Sequence, residues 1–119
     1  MARRALAAAA VLLCLAACRR NEQERAIRDA ALKAYLAEMR AGIKTFHQEH
    51  GRYPHSLEEL VPKHLRRIPV DPVTNSHDTW RLTTEEVVPQ NADFTTAAAK
   101  TQTFVLDVHS GAGAPYSSW

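Results

Sequence analysis

The sequence predicts an α+β fold in which a long amino-terminal amphipathic helix packs on a small antiparallel sheet. Three observations carry this. From Asn21 to Glu49 there is no proline and one glycine, with apolar residues recurring at helical steps. Two later segments, Thr79 to Thr84 and Thr103 to His109, alternate apolar and polar residues as half-buried strands do. Between the helix and the first of these lie the turn signals Gly51, Pro54, Pro69, Asp71, Pro72 and Asn75. At 119 residues, 45% apolar and 24% charged, the chain has room for one small core.

Residues 1–17 read as a signal peptide. Arg3 and Arg4 precede an unbroken run of Ala, Leu, Val and one Cys from Ala5 to Ala17. The run is well short of the ~20 residues that a helix needs to cross the hydrocarbon core. Leu15, Ala16, Ala17 and Cys18 resemble the bacterial lipobox. That resemblance implies acylation of the Cys18 thiol and cleavage on its amino-terminal side, with Cys18 as the first mature residue and the lipid attachment point. An ordinary cleavage site that happens to contain a cysteine is the competing reading. No cysteine follows Cys18, which leaves it no downstream disulfide partner. Acyl chains contribute ~0.8 kcal/mol per buried methylene, so several on one residue hold the protein on a membrane without a span. Arg19 stands where related lipoproteins retained at the inner membrane carry aspartate. In a double-membraned bacterium this favours the outer membrane, facing the periplasm.

Residues 18–31 form the lipidated start and a solvated stem, polar and lined with pairs such as Glu24 with Arg28 and Asp29 with Lys33 at four-residue spacing. Helical throughout, residues 22–50 would span ~40 Å. The globular domain is expected over 32–119. Leu32, Tyr35, Leu36, Met39, Ile43 and Phe46 fall within a band of about 100°, the width of a core-facing stripe. His50 projects into that band and His47 onto its edge. Ala30, Ala34, Ala37 and Ala41 line the back, either as good helix formers on an exposed face or as a small-residue stripe that admits another helix. The first reading is preferred.

Gly51 ends the helix as a left-handed cap. Ser56 and Glu59 form a capping box that predicts a second short helix, with Leu57, Leu60 and Val61 on its apolar side and Leu65 and Ile68 continuing along the core. Ile68 to Asn75, with Pro69 and Pro72, predicts an extended, rigid connector. In the sheet, Trp80 and Leu82 are expected inward on the first strand and Phe104, Leu106 and Val108 on the second. Residues 85–102 are long for a hairpin loop and leave room for a ragged third strand around Val87 and Val88. Tyr116 and Trp119 are expected to fold back on the sheet.

The six histidines raise metal binding: His47 and His50 lie three apart, His55 follows the turn, and Asp107 with His109 is the other nearby combination. There is no HExxH, and histidines beside Gly51 also suit the helix carboxyl end, so no metal or other cofactor is expected. None of Ser56, Ser76, Ser110, Ser117 and Ser118 sits in a nucleophile elbow, and no glycine loop cradles phosphate. No enzyme activity or small-molecule substrate is expected. Lys63, His64, Arg66 and Arg67 read as a solvated face. The net charge of +2 resides in the signal peptide. Removing it takes two of the 15 basic residues and none of the 13 acidic ones, leaving the counts equal and no basic footprint for nucleic acid.

Taken in order, the long helix, Gly51-Arg52-Tyr53-Pro54, Ser56-Leu57, Leu60, Leu65 through Ile68-Pro69, Asp71-Pro72, Thr74, Trp80-Arg81-Leu82 and Asp107-Val108-His109-Ser110-Gly111 resemble the globular domain of the major pseudopilin of bacterial type II secretion. The resemblance covers roughly Leu32 to Trp119 and implies a pilin-like α+β fold. It also implies partners among pseudopilins or other secretion-system proteins, in addition to the membrane reached through Cys18. The chain lacks the prepilin Phe-Thr-Leu-x-Glu motif with its apolar stem, and the family's acidic calcium loop. The resulting expectation is a lipid-anchored component or accessory of a type II secretion or type IV pilus-like system that works through protein contacts. The alternative is a periplasmic lipoprotein with an unrelated ligand- or metal-binding role on the same scaffold.

Overall fold

The computed structural model describes residues 2–90 and 101–119, with side chains from Arg4 onward. Its elements are helix α1 (Ala2–His50), a 3-10 turn (Leu57–Leu60), strands β1 (Arg81–Val87) and β2 (Gln102–His109), and a second 3-10 turn (Tyr116–Ser118). The fold is therefore α+β, one long helix beside a two-stranded antiparallel sheet.

Helix α1 is continuous for 49 residues because its amino half is made of Ala, Leu and charged helix formers with no glycine or proline to interrupt it. The molecule is correspondingly drawn out, 90 × 27 × 18 Å, with a radius of gyration of 22.8 Å against about 13–14 Å for a compact chain of this length. Residues 4–27 are exposed on every side, Ile27 at 70%. Packing starts around Arg28 and Asp29, and from Leu32 the predicted stripe is realised: Leu32, Leu36, Met39, Ile43 and Phe46 are buried, with Tyr35 half-buried beside them. The alanines at 30, 34, 37 and 41 are all exposed. Gly51 ends the helix at φ +70°, its amide donating to the His47 carbonyl (2.9 Å).

The second helix is shorter than predicted, a single 3-10 turn, and its capping differs. Ser56 makes no side-chain cap bond. The Glu59 carboxylate instead accepts from the His55 amide (2.9 Å) and from Arg52 (3.2 Å), so the return contact is made one residue early. Leu57, Leu60 and Leu65 join the core, held by a turn in which the His64 and Leu65 amides both donate to the Leu60 carbonyl (2.8 and 2.9 Å).

The predicted extended connector is a tight loop from Asp71 to Ser76. Asp71 bridges Ser76 through main-chain atoms, and Asn75 takes the left-handed φ of 56° that asparagine tolerates. The fully buried Asp71 carboxylate organises the loop, accepting from the Val73 and Thr74 amides (2.8 and 3.3 Å) and from the Ser110 hydroxyl (2.5 Å) beyond β2. Trp80 is buried before β1 begins, its indole N–H donating to the Pro69 carbonyl (2.8 Å).

In the sheet, Arg81 pairs with His109 and Thr83 with Asp107, but Thr84 pairs with Val105, so Leu106 is an extra residue in β2. This bulge reverses the alternation. Val105 and Val108 are the buried residues, whereas Phe104 and Leu106 are only half-buried, contrary to the regular pattern. All of β1 is exposed, including Leu82 at 39%. Val87 ends β1 and Val88 to Gln90 follow it as exposed, non-strand residues, so the ragged third strand expected around Val87 and Val88 does not form there; residues 91–100 lie outside the described residues. On its other side β2 receives the Pro54 segment: the Val105 amide donates to the Pro54 carbonyl (2.7 Å). Tyr116 and Trp119 pack on the core edge, and Trp119 sits along α1 under Lys33, whose Nζ lies 4.5 Å above the indole.

Candidate functional site

Cys18, the predicted lipid attachment point, lies exposed on α1 one turn beyond the equally exposed Cys14, and both thiols are free. Among the described residues, no helix is long and apolar enough to cross a membrane. Leu32 lies fourteen helical steps beyond Cys18, about 21 Å at 1.5 Å each, and all but Arg28, Asp29 and Ala31 between them are exposed.

The histidines weighed from sequence are distributed rather than gathered. The His47 ring stacks on Tyr53 with centroids 4.2 Å apart. His55 leaves the helix end altogether, stacking on Phe104 (4.7 Å) and donating from Nδ1 to the Thr103 carbonyl (2.8 Å). Asp107 and His109 do meet, at 3.4 Å, but Asp107 is already engaged by Arg40 Nε at 2.8 Å.

Arg40 is the hub of that flank. It projects from the helix beside the core stripe and reaches three groups: the Asp107 carboxylate, the Val108 carbonyl (3.0 Å) and the Trp119 main-chain oxygen (2.5 Å), the last of which also accepts from His109 Nδ1 (3.0 Å). Partial burial pushes the Asp107 carboxyl up. The Val108 amide and the Arg40 guanidinium outweigh it and hold Asp107 below the usual carboxylate range. This arrangement ties helix, strand and carboxyl-terminal turn together through Arg40 Nε and Nη2.

His50 alone of the predicted histidines enters a new cluster, with Glu49 and His64. One potential ligand atom from each lies within 4.8 Å of the others. The Leu60 turn delivers His64 against α1, where Gly42 leaves room: a Cβ there would touch Leu65 at 3.6 Å and the His64 Cβ at 3.7 Å. The His64 side chain is 5% exposed. Its Nε2 lies 3.3 Å from Glu49 Oε2, yet the angles do not make a hydrogen bond, and the atom has no hydrogen-bond partner among the described residues. Lys63 Nζ meets the same Glu49 oxygen at 3.1 Å. That hydrogen bond lowers the Glu49 carboxyl below its ordinary value, against a smaller opposing effect of burial and with further help from the charges of Lys63, His64 and His50. Sequence reasoning missed Glu49 and His64 because His64 sat in a run that read as a solvated basic face. The available signal was a histidine one turn after a buried leucine pair.

No family model matches this chain, and neither a curated protein nor a solved structure is found to match it.

Proposed function

We propose that this protein is a lipid-anchored, pilin-like component or accessory of a type II secretion or type IV pilus-like system, acting through protein contacts rather than catalysis. The observation that carries the reading is the division of α1: from Cys18 an exposed rod runs to Ile27, continuous with a segment whose one face builds a small core. Such a rod suits a domain held off a lipid surface and presented to other proteins. The Gly-Arg-Tyr-Pro and Ile-Pro-Val-Asp-Pro segments, with their resemblance to the pseudopilin domain, support the choice of machine. Acylation of Cys18 places the protein on a membrane facing the periplasm, and Arg19 after it favours the outer membrane.

The anchor is tested by expressing the full chain with and without globomycin and measuring its mass. Acylation with loss of residues 1–17 is expected, and accumulation of the uncleaved form under the drug. A mature mass without acyl groups ends the anchor reading. The partner class is tested by deleting the gene and measuring type II secretion and pilus assembly, one of which is expected to fall. Normal levels of both overturn it.

A further inference from the structure

We propose that Glu49, His50 and His64 form a binding site for a divalent transition-metal ion of the zinc class, at the carboxyl end of α1. The inference stands independently of the secretion reading, because it rests on the side chains of one corner of the fold.

Two imidazoles and a carboxylate are the donor set that such ions take, and the soft-sulfur and all-oxygen alternatives are absent from this corner. The fixed member is His64. Its ring is held by burial and by an edge contact to Phe46 at 5.7 Å, with Nε2 3.3 Å from Glu49 Oε2 but without a hydrogen bond. A buried nitrogen without a partner is costly in an ordinary core, and a metal ion would satisfy it. His50 is prepared in a complementary way. Its ring stacks on Phe46 at 4.1 Å, and Nδ1 donates to the Phe46 carbonyl at 3.1 Å. That bond fixes the tautomer and leaves the Nε2 lone pair free, as metal-bound histidines commonly have it.

A tetrahedral ion with bonds of about 2.0–2.2 Å places its donors about 3.3–3.6 Å apart. The present spread of up to 4.8 Å therefore closes by about an ångström or slightly more. The exposed Glu49 side chain makes most of that movement, while the His50 ring stacked on Phe46 shifts little and His64 stays in place. An ion pair alone explains the corner less well, since Lys63 already neutralises Glu49 and His64 does not make the hydrogen bond that an ion pair would favour. Lys63 would be displaced on binding. Three protein ligands on an exposed corner leave a fourth position for water.

The test titrates the full chain with Zn²⁺ by calorimetry, and with Co²⁺ by absorbance. One ion per chain is expected, with cobalt d–d bands but no thiolate charge transfer, which separates this site from Cys14 and Cys18. Glu49→Gln and His50→Ala, both at exposed positions, should weaken binding at least tenfold without changing the far-UV circular dichroism. Lys63→Ala should strengthen it, and His109→Ala should leave it unchanged. Absence of one-equivalent binding, a thiolate spectrum, or wild-type affinity in both Glu49→Gln and His50→Ala overturns the proposal.

Discussion

The two halves of α1 share a backbone and a helical state but not a reason for it. Residues 4–27 are helical on propensity and length alone, with every side chain in solvent, whereas residues 32–46 are helical because one face covers the core. Continuity of a helix therefore says nothing about where its stability comes from. The amino half contributes reach and the carboxyl half contributes the fold.

Matched truncations break this comparison most directly. Leu36→Ala should cost about 2–5 kcal/mol, as expected for a fully packed leucine. Leu13→Ala, at a side chain 71% exposed, should change stability by no more than about 0.5 kcal/mol. Urea melts of the two variants decide it, and equal losses would mean that the amino half packs after all.

The next effect separates two glycines of the globular part. A Cβ at Gly111 would lie 1.9 Å from the Thr79 carbonyl oxygen, so Gly111→Ala must push apart the segments that flank the two strands, at about 1–3 kcal/mol or more. Gly42 has only ordinary contacts around its missing Cβ. In mid-helix, Gly42→Ala should therefore raise the melting temperature, with a gain of up to about 1 kcal/mol.

The smallest expected effect is electrostatic. Asp107 titrates below its ordinary range when folded. Its contribution is thus complete above the unfolded pKa of about 3.9 and is lost as pH falls through the lower folded value. With the side chain 40% exposed, solvent screening keeps this under about 1 kcal/mol. Asp107→Asn should flatten that portion of the stability–pH curve, measured by denaturant melts at several acidic pH values, and an unchanged slope would remove Arg40–Asp107 from the account.

Legibility in the sequence followed the range of the interaction. The stripe from Leu32 to Phe46 and the Gly51 cap depend on neighbours within a few residues, and both are found as read. The bulge at Leu106 is invisible to alternation, because an extra residue in one strand exists only relative to its partner; Val108 stays buried as expected, but upstream of the bulge Val105 takes the place of Phe104 and Leu106. Asp71 looked like a turn residue and is one, but its bond to Ser110, 39 positions away, is what buries it. The corner at Glu49, His50 and His64 failed to show for the same reason: the Leu60 turn creates it by setting His64 against α1, and that turn carries no metal signature.

The unbroken rod also makes the stem a rotational device. Each residue added to a helix advances about 1.5 Å and turns about 100°. One alanine inserted between Asn21 and Ala26 would therefore swing the whole globular part to a different azimuth relative to Cys18 while barely raising it. Seven inserted residues would lift it by about 10 Å with a net twist of only about 20°. Phase and height can thus be varied separately in this molecule, and any surface that must face a fixed neighbour will respond to the first far more than to the second.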